Sequence, residues 1–163
     1  MGTLTQTTEE LQIILDDASE ENYAFAYLSA SADTTITTGM AWYPILGTFT
    51  NSFSNFELDT DKIKYIGTHD HIFEIDWSAK AESDTVSATF NVTVSINGTP
   101  VESSKMGGFA KTAEEPISFS GTDVVELSPN DTVQLVIQSD KAGSVITVDQ
   151  FVTTITKFVL PRQ

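Results

Sequence analysis

The sequence predicts an all-β protein: an antiparallel jelly-roll β-sandwich over residues 56–163, preceded by a short N-terminal helix and an irregular anchor segment within residues 1–55. Three observations carry that reading. From Phe56 onward, apolar residues recur at alternate positions in run after run, the period of a strand with one buried face. Turn-forming clusters break these runs at intervals of ~8–15 residues, the spacing of a sandwich or jelly roll. The chain has 163 residues and no cysteine, so one apolar core must hold the fold without disulfides, and the length suits a single domain.

Thr7-Thr8-Glu9-Glu10 has capping-box spacing, a hydroxyl followed three residues later by Glu. Leu11, Ile14, Leu15 and Ala18 then fall at i, i+3, i+4 and i+7, one stripe of a helix over about 7–18. A helix of about three turns is marginal alone in water, so this stripe needs a surface to pack on. Tyr23-Ala24-Phe25-Ala26-Tyr27 alternates aromatic with small residues, which suits one strand face. Asp33 to Gly39 reads as a polar, Thr-rich turn, and Pro44 confines Trp42-Tyr43-Pro44-Ile45 to an edge or a bend. Residues 23–56 therefore read as short strands and loops.

Beyond Phe56 the strands follow in order. Lys62 to Ile66 leads to Gly67, and Ile72 to Trp77 alternates and continues to about Ala81. Ser87 to Ile96 places Ala88, Phe90, Val92, Val94 and Ile96 on one face, and Asn97-Gly98 turns the chain, a strong hairpin signal. Lys105-Met106-Gly107-Gly108-Phe109 lacks a phosphate-cradling pattern and reads as a flexible loop. Pro116 to Leu127, Thr132 to Gln138 and Val145 to Phe158 supply the remaining strands. Ser128-Pro129-Asn130-Asp131 and Asp140-Lys141-Ala142-Gly143 form the turns between them.

Charge narrows the function. The formal net charge is −15, so no nucleic acid and no anionic membrane surface is expected as a partner. The acids are unevenly spread: the first basic residue is Lys62, which makes the N-terminal third a distinct acidic segment. The opening residues MGTLTQTTEE have no basic or apolar leader, so no secretory signal is expected.

The catalytic inventory is thin. His69-Asp70-His71 is the one stretch with metal-ligand character, because residues i and i+2 of a strand face the same side; it reads as an exposed polar turn, with a metal held by His69 and His71 as the alternative. His69 and His71 are also the only two histidines, and no Gly-x-Ser-x-Gly elbow accompanies them. Glu114-Glu115 and the pair Asp59 and Asp61 lie in polar segments where a raised carboxyl pKa is hard to arrange. No enzyme activity and no cofactor is expected.

An ordered set of motifs resembles the trimeric jelly roll of tumour-necrosis-factor and complement globular-head proteins, a module also found in phage and bacterial surface fibres. These are Ile63-x-Tyr65-x-Gly67 before a strand, a long strand ending in Ile96-Asn97-Gly98, and Phe119-x-Gly121 with Val124-x-x-Leu127. Asn130-Asp131-x-Val133-x-Leu135 and a long closing strand complete the set. The resemblance covers residues 56–159. The family's usual Gly-Asp is Asn130-Asp131 here, and Asp149-Gln150-Phe151-Val152 replaces its Phe-Gly, so no ligand or calcium site is carried over.

The resemblance implies a homotrimer. With an acidic lead that needs partners, it points to a non-enzymatic structural protein of a phage virion, a capsid (head) fibre or similar appendage. The residues expected to make the attachment, to capsid or tail proteins, are Leu11, Ile14, Leu15, Tyr23, Phe25 and Tyr27; the alternative is that these aromatics cover an end of the β domain itself. A second functional reading is the receptor- or glycan-binding tip of a tail fibre, with Phe109 in a ligand loop stacking on host-surface sugar. A secreted cytokine-like ligand is the third.

Overall fold

The computed structural model describes residues 22–158. The early strands are β1 (Tyr23–Ser31), β2 (Asp33–Thr35), β3 (Tyr43–Pro44), β4 (Gly47–Ser54), β5 (Phe56–Asp59) and β6 (Lys62–Tyr65). They are followed by β7 (His71–Ser83), β8 (Ala88–Ile96), β9 (Thr99–Pro100) and β10 (Met106–Ala110). The chain closes with β11 (Ile117–Leu127), β12 (Thr132–Ser139) and β13 (Val145–Lys157). Two antiparallel sheets form a sandwich, as the alternation predicts. The first runs β11-β7-β13-β1-β4, with β2 also on β13; the second runs β10-β8-β12-β6-β5, with β3 on β12 and β9 on β8.

Alternation along β7 shows why the layers close. His71, Phe73, Ile75, Trp77, Ala79 and Ala81 are buried, and the residues between them face out. Phe90, Val92 and Val94 of β8 and Val133, Leu135 and Ile137 of β12 meet them from the second sheet. β13 adds Ile146 and Val148, then Phe151 and Ile155, a switch from even to odd positions. A register shift between Val148 and Gln150 accounts for the switch: one extra residue, Asp149, keeps both halves of the strand facing the core.

Two expectations need correction. Residues 23–56 contain a nine-residue β1 and an eight-residue β4, so the segment is not merely short strands and loops. Pairing of Ala24 with Ile155 and with Phe53 places β1 between β13 and β4 in the first sheet. The described part of 1–55 is thus built into the sandwich. The helix at about 7–18 lies outside the described residues, as do Leu11, Ile14 and Leu15.

The second correction concerns Lys105 to Phe109. Met106 to Ala110 form edge strand β10, paired with β8 from Met106↔Val92 to Ala110↔Ala88. Glycine serves close packing there: a Cβ on Gly108 would lie 2.6 Å from Cγ2 of Ile117. Sequence composition suggested freedom where the fold uses glycine for contact.

Candidate functional site

The outer face of the first sheet is built from the counter-phase residues of its strands. On β1 the small residues Ala24 and Ala26 turn inward at 1% exposure, so Tyr23, Phe25 and Tyr27 are turned out and are 38–40% exposed. Phe25 and Tyr27 stand with ring centroids 6.0 Å apart. Register continues the face across the sheet: Tyr27 lies opposite Val152, Val152 opposite Ser78, and Ser78 opposite Ser120. One row therefore passes from a bulky aromatic to two serines. The result is an aromatic ridge beside a floor of small side chains.

That relief encloses a groove of about 690 Å³, lined among others by Phe25, Tyr27, Lys80, Ser120, Gln150 and Val152. A second depression of about 450 Å³ continues along the same face past Asp76, Thr122 and Thr154. The Thr122 hydroxyl donates to Asp76 Oδ1 at 2.6 Å. Exposed Ile72 and Val124 extend the apolar surface toward one end. Large apolar side chains and polar ones such as Asp76, Lys80 and Ser120 thus share this outer face.

The other site candidates fall elsewhere. His71 opens β7 and is buried, its ring against Tyr65 and Phe73 with centroids 6.4 and 6.1 Å away. It is therefore not part of an exposed turn. His69 precedes the strand, so the i, i+2 argument does not apply; the two imidazole centroids are 6.5 Å apart. Among the described residues no three His, Asp or Glu side chains form a metal-binding group. Phe109 is 54% exposed on strand β10, opposite Thr89, and does not sit in a loop.

No family model matches the chain, and no curated protein matches it by sequence. Solved structures do match. Eiger TNF from S. frugiperda superposes with a TM-score of 0.55 at 9% identity, covering 88% of this chain and 99% of that one. Murine APRIL at pH 5.0 gives 0.54 at 12% identity, covering 84% of this chain and 99% of that one. The fold is the tumour-necrosis-factor jelly roll.

One jelly-roll motif seen in the sequence now has a physical cause. In Ile63-x-Tyr65-x-Gly67 the Tyr65 ring is fully buried, and its hydroxyl donates to the His69 carbonyl at 2.7 Å. The ring passes directly over Gly67, where any Cβ would collide with it. The outer face of the first sheet, by contrast, was not found as a whole from sequence. Its signal was present: Ile72, Val124 and Val152 are apolar residues in the exposed phase of alternating strands.

Proposed function

We propose that this chain is a non-enzymatic structural protein of a phage particle, a homotrimeric head fibre or similar appendage. In this reading the outer face of the first sheet packs against sister copies. Residues 1–21, with Leu11, Ile14 and Leu15, attach the trimer to capsid or tail proteins at the virion surface. The observation that carries the reading is the exposed aromatic ridge of Tyr23, Phe25 and Tyr27 beside the 690 Å³ groove. Ridge and floor are different surfaces on one face. A contact that seats the ridge of one copy on the floor of the next is heterologous, and such contacts form a ring when the rotation between copies closes. Three copies is the ring that the jelly-roll resemblance implies.

Tyr23, Phe25 and Tyr27 belong to the trimer contact in this reading, which leaves virion attachment to the chain ahead of β1. The acidic character of that segment supports the division: it has six carboxylates and no base before Asn22. A second reading, a glycan-binding tip, is favoured by Phe109, the most exposed large aromatic of the described residues.

Deleting residues 1–21 tests the attachment role. The truncated protein is expected to keep its β circular-dichroism spectrum and its number of copies per oligomer but to stop co-sedimenting with particles. Normal incorporation of the truncated protein would overturn that role.

A further inference from the structure

The chain contains a single Asn-Gly step, Asn97-Gly98, at the exposed tip of the β8–β9 hairpin. Both residues have positive φ, 52° and 83°, as a tight hairpin turn requires. Asn-Gly steps are chemically labile because glycine leaves the following backbone nitrogen unobstructed. Open space surrounds Gly98, with no atom within 4 Å of where a Cβ would lie.

The Asn97 carboxamide, however, is held at both ends. Its Nδ2 donates to Asp131 Oδ1 at 2.9 Å, and its Oδ1 accepts from the Thr132 backbone N–H at 3.0 Å. The Asn97 backbone N–H donates to the Thr132 carbonyl at 3.0 Å. Asp131 is itself fixed, since its Oδ2 accepts from the Ser128 N–H at 2.8 Å and its carbonyl accepts from the Tyr65 N–H at 2.9 Å. The clamp therefore belongs to a braced turn that joins β6, β8 and β12.

We propose that Asn97 is a latent self-modification site, a deamidation switch kept closed by Asp131 and Thr132. When the 128–132 turn lets go, the Gly98 nitrogen loses its proton and attacks Asn97 Cγ. The Cγ–Nδ2 bond breaks, ammonia leaves and a succinimide forms. Water then opens the ring at either carbonyl, giving aspartate or isoaspartate. In the aspartate product the carboxylate replaces the Nδ2 donor and faces the Asp131 carboxylate across the distance that the hydrogen bond had spanned, and in isoaspartate the main chain is rerouted through Cβ. The clamp cannot close again, so one local opening becomes a permanent change at the hairpin tip.

The test is peptide mass spectrometry of residues 97–98 in the full chain during incubation at mildly alkaline pH. The folded protein is expected to deamidate roughly ten- to a hundredfold more slowly than the same chain in urea, the factor expected from one hydrogen bond to a charged group. Asp131→Ala, checked for retained fold by circular dichroism, is expected to recover most of that factor. Equal rates in the folded and urea-treated protein, or an unchanged rate in folded Asp131→Ala, would overturn the proposal. Should Asp131→Ala fail to fold, Asn97→Asp reads the same clamp as a mimic of the product. Its melting temperature is expected to lie below that of the native sequence at neutral pH, with the gap narrowing on acidification. An Asn97→Asp protein that melts with the native sequence at every pH would equally overturn it.

Discussion

The two outer faces of the sandwich follow the same alternation rule and end in opposite conditions. On the second sheet several outward polar side chains satisfy one another. Asn91 Nδ2 donates to Gln138 Oε1 at 2.9 Å, and Gln138 Nε2 donates to the Met40 carbonyl at 2.8 Å. The short 3-10 turn Glu102–Ser104 covers β8, where the Thr93 and Ser104 hydroxyls meet at 2.8 Å. Lys64 and Glu57 pair at 3.6 Å nearby. On the first sheet the corresponding layer presents Tyr23, Phe25, Tyr27, Ile72, Val124 and Val152 to solvent. Apart from Phe109 on edge strand β10, the second face is covered largely by its own chain, whereas the first leaves a cluster of large apolar side chains exposed.

Charge substitution separates the faces most sharply. Val152→Asp puts a carboxylate beside Tyr27 and Ser78 and is expected to abolish association while the strands remain folded. Gln134→Asp on the second sheet is expected to leave the oligomer intact. Sedimentation velocity with circular dichroism checks both; an intact oligomer in Val152→Asp would show that the apolar face is not the contact.

Removing hydrogen-bonding groups inverts the ranking. Gln138 is buried, so Gln138→Ala leaves Asn91 Nδ2 and the Met40 carbonyl without their partner and is expected to cost about 1–3 kcal/mol. Ser120→Ala on the first sheet is expected to stay within about 0.5 kcal/mol, because nothing buried loses a partner. Urea titrations of the two variants compare these costs directly.

The smallest effect lies at the rim. Asp84 Oδ1 accepts from the Val145 backbone N–H and the Thr85 hydroxyl, each at 2.9 Å, and these bonds, the Val145 one foremost, hold its carboxyl below the usual range. A lowered folded-state pKa stabilises above the unfolded value of about 4 and loses that contribution as pH falls through the folded value. Asp84→Asn is therefore expected to melt slightly lower than the native sequence at neutral pH, with the difference vanishing in acid. A difference that persists at low pH would contradict this assignment.

Much of the fold was legible because burial follows a period of two. β7, β8, β11 and β12 declare their inner faces through Phe73, Phe90, Phe119 and Leu135 and their neighbours. β1 was harder to place, since its inward residues are alanines and its bulk points outward, reversing the usual relation between size and burial. β10 was hidden because glycine in isolation signals freedom, and only the tertiary fit against Ile117 and Phe119 shows why it is there. The aromatic ridge was visible as residues but not as a surface. Its floor, Ser78 and Ser120, comes together only when β7 and β11 pair.

Light scattering on a sizing column tests the central claim most directly. The account predicts about 53 kDa, three times the 17.7 kDa chain. A mass near 17.7 kDa at micromolar concentration would mean that the apolar face is not a contact between copies, and would contradict the trimer.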